Sequence, residues 1–112
     1  MRVFCHHIYE FRKGLRNLVL YTGAESEKSM IEKKLKHYGI AYMIQPLTNG
    51  RINVYFGNNS CVQVVRSFGK KLMKNFTPEE DFILGTMLGY DRLLQCDRYL
   101  QRKEKTACKS AA

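Results

Sequence analysis

The clearest hydrophobic pattern lies in residues 41–57, where two runs rich in aromatic and β-branched residues flank Asn49-Gly50. An Asn-Gly pair between two such runs is the strongest short-range hairpin signal, because a type I′ turn needs two positive φ angles and these residues tolerate them. The pattern therefore predicts a β-hairpin around which the sheet is built.

The register of this hairpin follows from its turn. With a two-residue loop, Thr48 pairs with Arg51, and side chains alternate between two faces from there. One face then carries Leu47, Gln45, Met43, Ile52, Val54 and Phe56, and the other carries Tyr42, Ile44, Asn53 and Tyr55. Gln45 does not suit the first face, so either it lies at the edge of the sheet or a bulge near Pro46 shifts the first strand by one residue. The second face is too apolar to lie wholly in water, and we expect another segment or subunit to cover part of it.

The N-terminal segment is ambiguous by periodicity. Residues 3–9 suit a strand by composition, whereas His6, His7 and the charged residues after them suit a short helix that ends at Gly14 equally well. Both alternatives stay open on the pattern alone. Residues 18–21 form a short apolar run flanked by polar residues, which is typical of a buried strand.

Two helices are predicted around the hairpin. Thr22 and Glu25 match the S/T-x-x-E capping box of a helix start, and apolar residues then recur at helical spacing up to a stop at Gly39. After the hairpin, residues 58–68 have the spacing of a second packed helix, which ends at Gly69. A helical crossover between the first strand and the hairpin favours a parallel strand pair. The prediction is a small mixed three-stranded sheet, in strand-helix-hairpin order, with helices chiefly on one face.

The C-terminal part predicts a long helical segment with a break. Thr77, Pro78 and Glu80 form a helix start with a capping box. One straight helix from there would be about 43 Å long, whereas a globule of this size measures about 35 Å across. We therefore predict two C-terminal helices that meet at residues 89–91, where glycine weakens the helix and aspartate caps a new one. Residues 106–112 are expected to form a flexible tail.

Length and charge limit the possibilities. The 112 residues, of which 45% are hydrophobic, suffice for one modest core, so we predict a single α+β domain over residues 1–105. Lys and Arg number 19 against 10 Asp and Glu, which gives a net charge of +9. That excess favours an acidic protein, an anionic ligand or nucleic acid as the partner, and the alternative is a basic surface without a partner.

Several classes of chemistry lack their sequence signatures. The four cysteines show no C-x-x-C spacing, so neither a zinc knuckle nor a redox dithiol is expected, and reduced thiols in a cytosolic protein fit better. Phosphate-binding loops, the G-x-S-x-G elbow and H-E-x-x-H do not occur, so no catalytic residue or cofactor is predicted and enzymatic activity stays open. Tyr55 and Phe56 lie near basic segments, but without an RNA-recognition consensus nucleic acid is not favoured. No signal peptide or membrane span is recognisable, so we expect a soluble cytoplasmic protein without a membrane contact.

The candidate ligand-binding residues cluster near the N-terminus. They combine acid, base and aromatic groups, as small-molecule and anion sites do, and they are His6, His7, Tyr9, Glu10, Arg12 and Arg16. Adjacent histidines chelate one ion poorly without a turn between them, so no metal is expected. The alternative is that these residues form a solvated helix face.

The chain also resembles a known family over almost its whole length. The stretches that carry the resemblance are HHIYEFRKGLRNLVLYT, YMIQPL, INVYFG, VVRSFG and, above all, TPEEDFILGTMLGYDRLLQCDRYL. They are similar to a small uncharacterised bacterial family catalogued as a domain of unknown function (number twenty twenty-three). The resemblance implies an α+β domain with three strands and about five helices, a helix around residues 7–13, and a homodimer. It brings no activity or cofactor, but its members are encoded beside flavodoxin.

These observations lead to two functional hypotheses. The first is a homodimeric binding or accessory protein for an acidic protein partner, with a flavodoxin-like redox protein as a candidate. The second is a small-molecule or anion-binding protein, or an enzyme, that uses the segment from His6 to Arg16.

Overall fold

A computed structural model of the chain describes residues 2–111, with side chains for residues 2–107. These residues form the α+β fold that the pattern predicts, with five α-helices and three strands. In chain order the elements are α1 (Arg2–Arg12), β1 (Leu18–Ala24), α2 (Lys28–His37), β2 (Ala41–Pro46), β3 (Arg51–Gly57), α3 (Asn59–Ser67), α4 (Pro78–Met87) and α5 (Arg92–Ala111). The chain divides into two compact units, residues 1–70 and 71–112, and one domain over residues 1–105 stays a prediction.

The N-terminal segment is a helix, which decides between the two alternatives and confirms the helix that the family resemblance implies. Phe4 and Ile8 stand one helical turn apart and are both buried in the core. Gly14 ends the segment with a φ of +78°, a left-handed conformation that favours glycine. An isolated helix of this length is only marginally stable in water. Burial of apolar residues at helical spacing supplies the stability that intrinsic propensity does not.

The predicted capping box at Thr22 is wrong, because β1 continues through this residue to Ala24. Thr22 pairs with Asn53 of β3, and its hydroxyl donates a hydrogen bond to Asn53 Oδ1 at 2.6 Å. The chain then makes a 3-10 turn over Glu25–Glu27 before α2. Glu27, and not Glu25, accepts a backbone hydrogen bond there, from the Ala24 N–H at 2.9 Å.

The sheet has the strand order β1-β3-β2, and both strand pairs are antiparallel. The prediction of a mixed sheet with a parallel pair is therefore wrong. The helical crossover does make β1 and β2 run in the same direction, as expected. However, β3 lies between them and hydrogen-bonds to both, so no parallel pair forms in the described sheet.

The hairpin contains both the predicted turn and a bulge. Asn49 and Gly50 adopt φ angles of 59° and 68°, as a type I′ turn requires. Arg51 N donates to Thr48 O at 3.4 Å, but Arg51 O accepts from Leu47 N at 2.8 Å instead of from Thr48. Leu47 and Thr48 thus face one residue of β3, and the alternative of a bulge that shifts the first strand by one residue is confirmed.

This shift reverses the two faces of β2 relative to the prediction from an unbroken ladder. Gln45 pairs with Asn53, and Ile44 pairs with Val54. Tyr42 and Ile44 consequently pack against the main core, whereas Gln45 shares the opposite face with Asn53. The predicted distribution of β2 side chains between the faces is wrong for this reason.

Both faces of the sheet are covered. The first face and helices α1 and α2 form the main core, which consists of Phe4, Ile8, Val19, Ile31, Leu35, Ile40, Ile52, Val54 and Phe56. On the second face Leu18 and Tyr55 are fully buried, in line with the expectation that this face does not lie wholly in water. Helix α3 contacts β2 and β3 and contributes Val62 and Val65, which are buried outside the main core.

In the second unit, the predicted capping and the predicted helix break are both confirmed. Thr77 Oγ1 accepts a hydrogen bond from Glu80 N at 3.1 Å, and Glu80 Oε1 accepts one from Thr77 N at 2.9 Å. Gly89 interrupts the helical segment with a φ of +84°. Asp91 Oδ1 then accepts a hydrogen bond from Leu94 N at 3.0 Å and caps α5. Residues 106–111, predicted as a tail, continue α5, and Ala112 lies outside the described residues.

Helices α4 and α5 are held together by ion pairs as well as by apolar contact. Arg98 Nε lies 2.7 Å from Asp81 Oδ2, and Lys103 Nζ lies 3.0 Å from Glu79 Oε2. The ring of Phe82 packs against that of a tyrosine on α5 with a centroid separation of 5.6 Å. The acidic start of α4 therefore pairs with basic residues of α5, in addition to its favourable position at a helix N-terminus.

Candidate functional site

The structure separates the six candidate residues into two groups. His6, His7, Glu10 and Arg16 form the first, which we call the Glu10 cluster. Arg16 Nη1 lies 3.3 Å from His7 Nδ1 and 3.9 Å from Glu10 Oε1. His7 Nδ1 is 3.4 Å from Glu10 Oε1, and His6 Nε2 is 3.7 Å from the same oxygen.

Helix geometry and one loop residue create the Glu10 cluster. His6 and His7 precede Glu10 by four and three residues, so all three lie on neighbouring turns of α1. Arg16 reaches them from the loop that follows Gly14. Because the His7 Nδ1 atom accepts from Arg16 only when unprotonated, and donates to Glu10 only when protonated, the two contacts are alternatives.

The Glu10 cluster balances its own charges. Its carboxylate lies beside a guanidinium and two imidazoles, and His7 also packs edge-on against the ring of Tyr21. Within residues 2–107, no three His, Cys, Asp or Glu side chains come together as metal ligands. The cysteines Cys5, Cys61 and Cys96 are free, and the Cys108 side chain lies outside the described residues.

Tyr9 and Arg12 are the second group, and the Tyr9 ring also stacks on the His6 ring of the Glu10 cluster, with a centroid separation of 6.3 Å. The Arg12 guanidinium carbon lies 4.2 Å above the centre of the Tyr38 ring, and Lys13 Nζ lies 5.5 Å from the centre of the Tyr9 ring. Neither cation forms an ion pair with a carboxylate among the described contacts. Each ring stabilises its cation through the quadrupole of the aromatic face and leaves the charge available to a partner.

The two cations and the tyrosines beneath them line a groove that sequence reasoning did not identify as a unit. Its volume is about 460 Å³, and Cys5 and Ile8 complete its lining. Tyr38 is the last residue of the apolar pattern that predicted the helix before Gly39, but it is 42% exposed. The signal that could have found it is its place directly before the glycine that ends α2, where the helix surface meets solvent.

Two further grooves lie along β2. One, of about 520 Å³, shares Arg12 and Tyr38 with the first groove and extends to Ala41 and to the start of α3. The other has a volume of about 670 Å³ and is lined by Met43, Ile44, Gln45, Pro46, Arg66, Gly69 and Lys70. Sequence reasoning missed this last groove, because the face on which each β2 side chain lies depends on the bulge.

Positive charge is concentrated in the first unit. Residues 1–70 contain eleven Lys and Arg against four Asp and Glu, a net charge of +7. Residues 71–112 contain eight against six, a net charge of +2, and their acidic residues include the partners of the ion pairs between α4 and α5. The first unit is thus the part of the chain that attracts anionic partners most strongly.

The second unit presents a different kind of surface. A groove of about 470 Å³ between α4 and α5 has an almost wholly apolar lining, formed by Glu79, Phe82, Ile83, Cys96, Tyr99 and Leu100. On α5, Leu93 and Leu100 are 70% and 63% exposed. They are seven residues apart and therefore lie on one side of the helix.

Each resolved shift moves the pKa of its group further from neutral pH. Burial, followed by the hydrogen bond to Glu32, raises the pKa of Tyr42, and burial alone raises the pKa of Tyr55. The hydrogen bond from Lys71 is the largest cause that lowers the pKa of Glu80. General acid–base catalysis works best with groups whose pKa lies near the working pH, and these shifts move the pKa values of Tyr42, Tyr55 and Glu80 further from neutral pH.

No helix among the described residues combines the length and the apolar character needed to cross a membrane.

Comparison with known proteins identifies the family of the chain. No curated protein matches the sequence. A family model described as "Protein of unknown function (DUF2023)" matches residues 2–102, which include the Glu10 cluster and the residues that line the three grooves described above for the first unit. The chain therefore belongs to the DUF2023 family of proteins of unknown function.

Proposed function

We propose that this chain is a homodimeric, cytoplasmic binding or accessory protein for an acidic protein partner. The observation that carries the proposal is the net charge of +7 on residues 1–70, combined with Arg12 and Lys13, which lie over tyrosine rings without a carboxylate partner among the described contacts. A surface of this kind accelerates association with an acidic protein and orients it during the encounter.

The groove residues favour a protein as the partner. Tyrosine and arginine are enriched among the residues that dominate protein–protein binding energies, because their large side chains pack and hydrogen-bond at low entropic cost. Tyr9, Arg12 and Tyr38 provide such a group on an exposed surface. The first partner to test is a flavodoxin-like redox protein, a choice that rests on the family resemblance.

Dimer formation is proposed for the second unit. Leu93 and Leu100 are exposed on one side of α5, next to an apolar groove. Pairing of this surface with the same surface of a second copy would remove it from water in an isologous interface. A stable interface of this kind buries more than about 1,000 Å² in total.

The alternative function is a small-molecule or anion-binding protein, or an enzyme, that uses residues 6–16. The observation in its favour is the Glu10 cluster, where acid, base and aromatic groups meet on α1 beside a groove of about 460 Å³. Within this cluster Arg16 lies 3.9 Å from the Glu10 carboxylate, which reduces the attraction of Arg16 for an added anion.

A binding titration separates these functions. An acidic flavodoxin, single-stranded RNA and duplex DNA are titrated into the protein at low salt and again at about 0.3 M salt, where exposed charges are screened within a few Å. The variant carries Arg12→Glu and Lys13→Glu, and the control carries Lys74→Glu and Lys105→Glu, two exposed positions of the second unit that give an equal change in net charge. We expect the flavodoxin to bind, mainly with a slower association rate at high salt, and to lose affinity only in the Arg12 and Lys13 variant. Absence of flavodoxin binding at low salt, or equal loss in both variants, contradicts the proposal.

A thermal-shift series tests the alternative. Small anions and phosphorylated metabolites are added at roughly a hundredfold excess over the dissociation constant, which would stabilise the folded state by about 2.7 kcal/mol. Truncation of His7 or Glu10 should abolish that stabilisation if the Glu10 cluster is the site. Such a result, together with no flavodoxin binding, would replace the first function with the second.

A further inference from the structure

Strand β2 is an open edge of the sheet, and its register shows which backbone groups face outward. Because Leu47 N bonds to Arg51 O, and hydrogen-bonded pairs alternate along an antiparallel ladder, Gln45 and Met43 bond to β3. The N–H and C=O groups of Tyr42 and Ile44 then point away from β3. Arg66 Nη2 supports this assignment, because it donates to Tyr42 O at 3.2 Å from outside the sheet.

Basic side chains lie at both ends of β2 and beside Tyr42. Arg12 lines the groove at the Ala41 end, and Arg66 reaches the edge at Tyr42. Lys70 lines the groove at the Pro46 end, which a hydrogen bond from Gln45 Nε2 to Lys70 O anchors at 3.1 Å. The edge spans about 17 Å between its ends, so one cation is available every few residues of an extended partner strand.

None of these three cations has a carboxylate partner among the described contacts. Arg12 lies over Tyr38, and Arg66 bonds to a backbone carbonyl. The groove beside β2 has a volume of about 670 Å³, and Met43 and Ile44 add apolar surface to a lining that also contains Arg66 and Lys70. The outward N–H and C=O of Ile44 have no partner among the described contacts, whereas Tyr42 O accepts from Arg66. Free backbone groups on a strand edge, apolar side chains and flanking cations are together the elements of strand addition by an acidic segment.

We propose that the edge of β2 binds an extended acidic segment of the protein partner as an added strand. This inference rests on the proposed function and names the place and the mode of binding. Ile44 supplies the central backbone N–H and C=O groups, while Arg12, Arg66 and Lys70 pair with acidic side chains of the segment. A second copy of β2 does not suit this edge, because it would bring the Arg66 and Lys70 side chains of both copies together.

The test combines a defined peptide with nuclear magnetic resonance of the isotope-labelled full chain. The peptide alternates glutamate and valine over about six residues, the length of β2. A second peptide of the same sequence is N-methylated on alternate residues, which removes the backbone donors and keeps the charge. We expect the unmodified peptide to shift the Ile44 and Tyr42 amide resonances, and the methylated peptide to bind at least about tenfold more weakly.

Charge variants provide an independent readout with the acidic flavodoxin. The double variant Arg66→Glu and Lys70→Glu should weaken flavodoxin binding about five- to tenfold. The matched control is Lys33→Glu with Lys34→Glu, on α2. It changes the net charge by the same amount as the double variant and should retain the affinity of the unmodified protein within about twofold. The circular dichroism spectrum of each variant confirms that it is folded.

The outcomes separate the two proposals. If neither the flavodoxin nor the peptide binds the unmodified protein at low salt, the proposed function and this inference both fail. If they bind, but the Ile44 amide is unchanged and the two charge variants behave alike, the β2 edge is excluded and the proposed function stands. A shift of Ile44 that N-methylation abolishes supports strand addition.

Discussion

Gln45 of β2 lies directly opposite Asn53 of β3, and both side chains are buried, at 6% and 2% exposure. On the other side of Asn53, Thr22 of β1 donates a hydrogen bond to its side-chain oxygen. A polar row therefore crosses all three strands on the face that also buries Tyr55. Such a row tolerates few alternative registers, because a slip of one residue would move buried amides into the apolar core.

The first prediction concerns this row. Thr22→Val removes the donor to Asn53 Oδ1, and we expect the free energy of unfolding to fall by about 1 kcal/mol, because a buried acceptor loses its partner. Chemical denaturation measures the change. Thr22→Ser, which keeps the hydroxyl, is the control and should lose less than half as much. Equal losses in both variants would show that the methyl packing of Thr22 matters more than its hydrogen bond.

The second prediction concerns the break between α4 and α5. Gly89 has a φ of +84°, and no atom lies within 4 Å of the place where a Cβ would be added. Gly89→Ala should therefore destabilise the protein through backbone strain alone, by about 1–2 kcal/mol. Gly89→Asn is the control, since asparagine tolerates this conformation better, and it should cost less. A stabilised Gly89→Ala variant would contradict the left-handed conformation at this position.

The third prediction concerns pH. The hydrogen bond from Lys71, followed by that from the Thr77 backbone, lowers the pKa of Glu80 below its ordinary value. A carboxyl group with a lowered pKa in the folded state binds fewer protons than in the unfolded state, so its contribution is complete above the ordinary glutamate pKa. That contribution is lost as the pH falls from about 4.5 through the lower pKa of the folded state.

Thermal unfolding between pH 7 and pH 3 measures this effect. Glu80→Gln should flatten the decrease in melting temperature at acid pH, because the glutamine does not titrate. Glu104→Gln on α5 is the control, since Glu104 forms no ion pair among the described contacts, and it should leave the pH profile unchanged. If the two variants have the same profile, the Glu80 contacts do not contribute to the acid sensitivity.

The fourth prediction concerns assembly. We expect light scattering at micromolar concentration to give the mass of a dimer, and Leu100→Glu to give a monomer, because a charge in the apolar surface of α5 would be buried without a partner. Leu15→Glu is the matched control, since Leu15 is 68% exposed and lies in the first unit. A monomeric unmodified protein, or a dimer that survives Leu100→Glu, would exclude the α5 interface.

Local sequence determined the helix boundaries and turns whose chemistry involves neighbouring residues only. Asn49-Gly50 specifies the hairpin turn, and Thr77 with Glu80 specifies the start of α4, because each pair satisfies its own backbone groups. Gly89 ends α4 for the same kind of reason. The order of the strand and helix patterns likewise predicted the α+β class, and composition determined the excess of positive charge.

Only the tertiary structure decided the features that depend on distant strands. Thr22 belongs to β1 because the ladder with β3 continues past it and pairs it with Asn53, 31 residues later, and this distant pairing outweighs the local capping pattern. The antiparallel sheet arises because β3 lies between β1 and β2, an arrangement that the crossover length does not specify. The bulge at Leu47 and Thr48 is favoured because it packs Tyr42 and Ile44 against the main core and pairs Gln45 with Asn53.

The same distinction applies to the candidate site. The sequence placed His6, His7 and Glu10 on one segment, and helix geometry alone brings them together. Arg12 points away from Glu10 because residues two apart on a helix do not face each other, and it meets Tyr38, which directly follows α2, through the tertiary fold. The groove beside β2 unites Arg66 of α3 with the edge of a strand some twenty residues earlier. Such a surface exists only after the chain folds, because its parts converge through burial of the apolar residues beneath them.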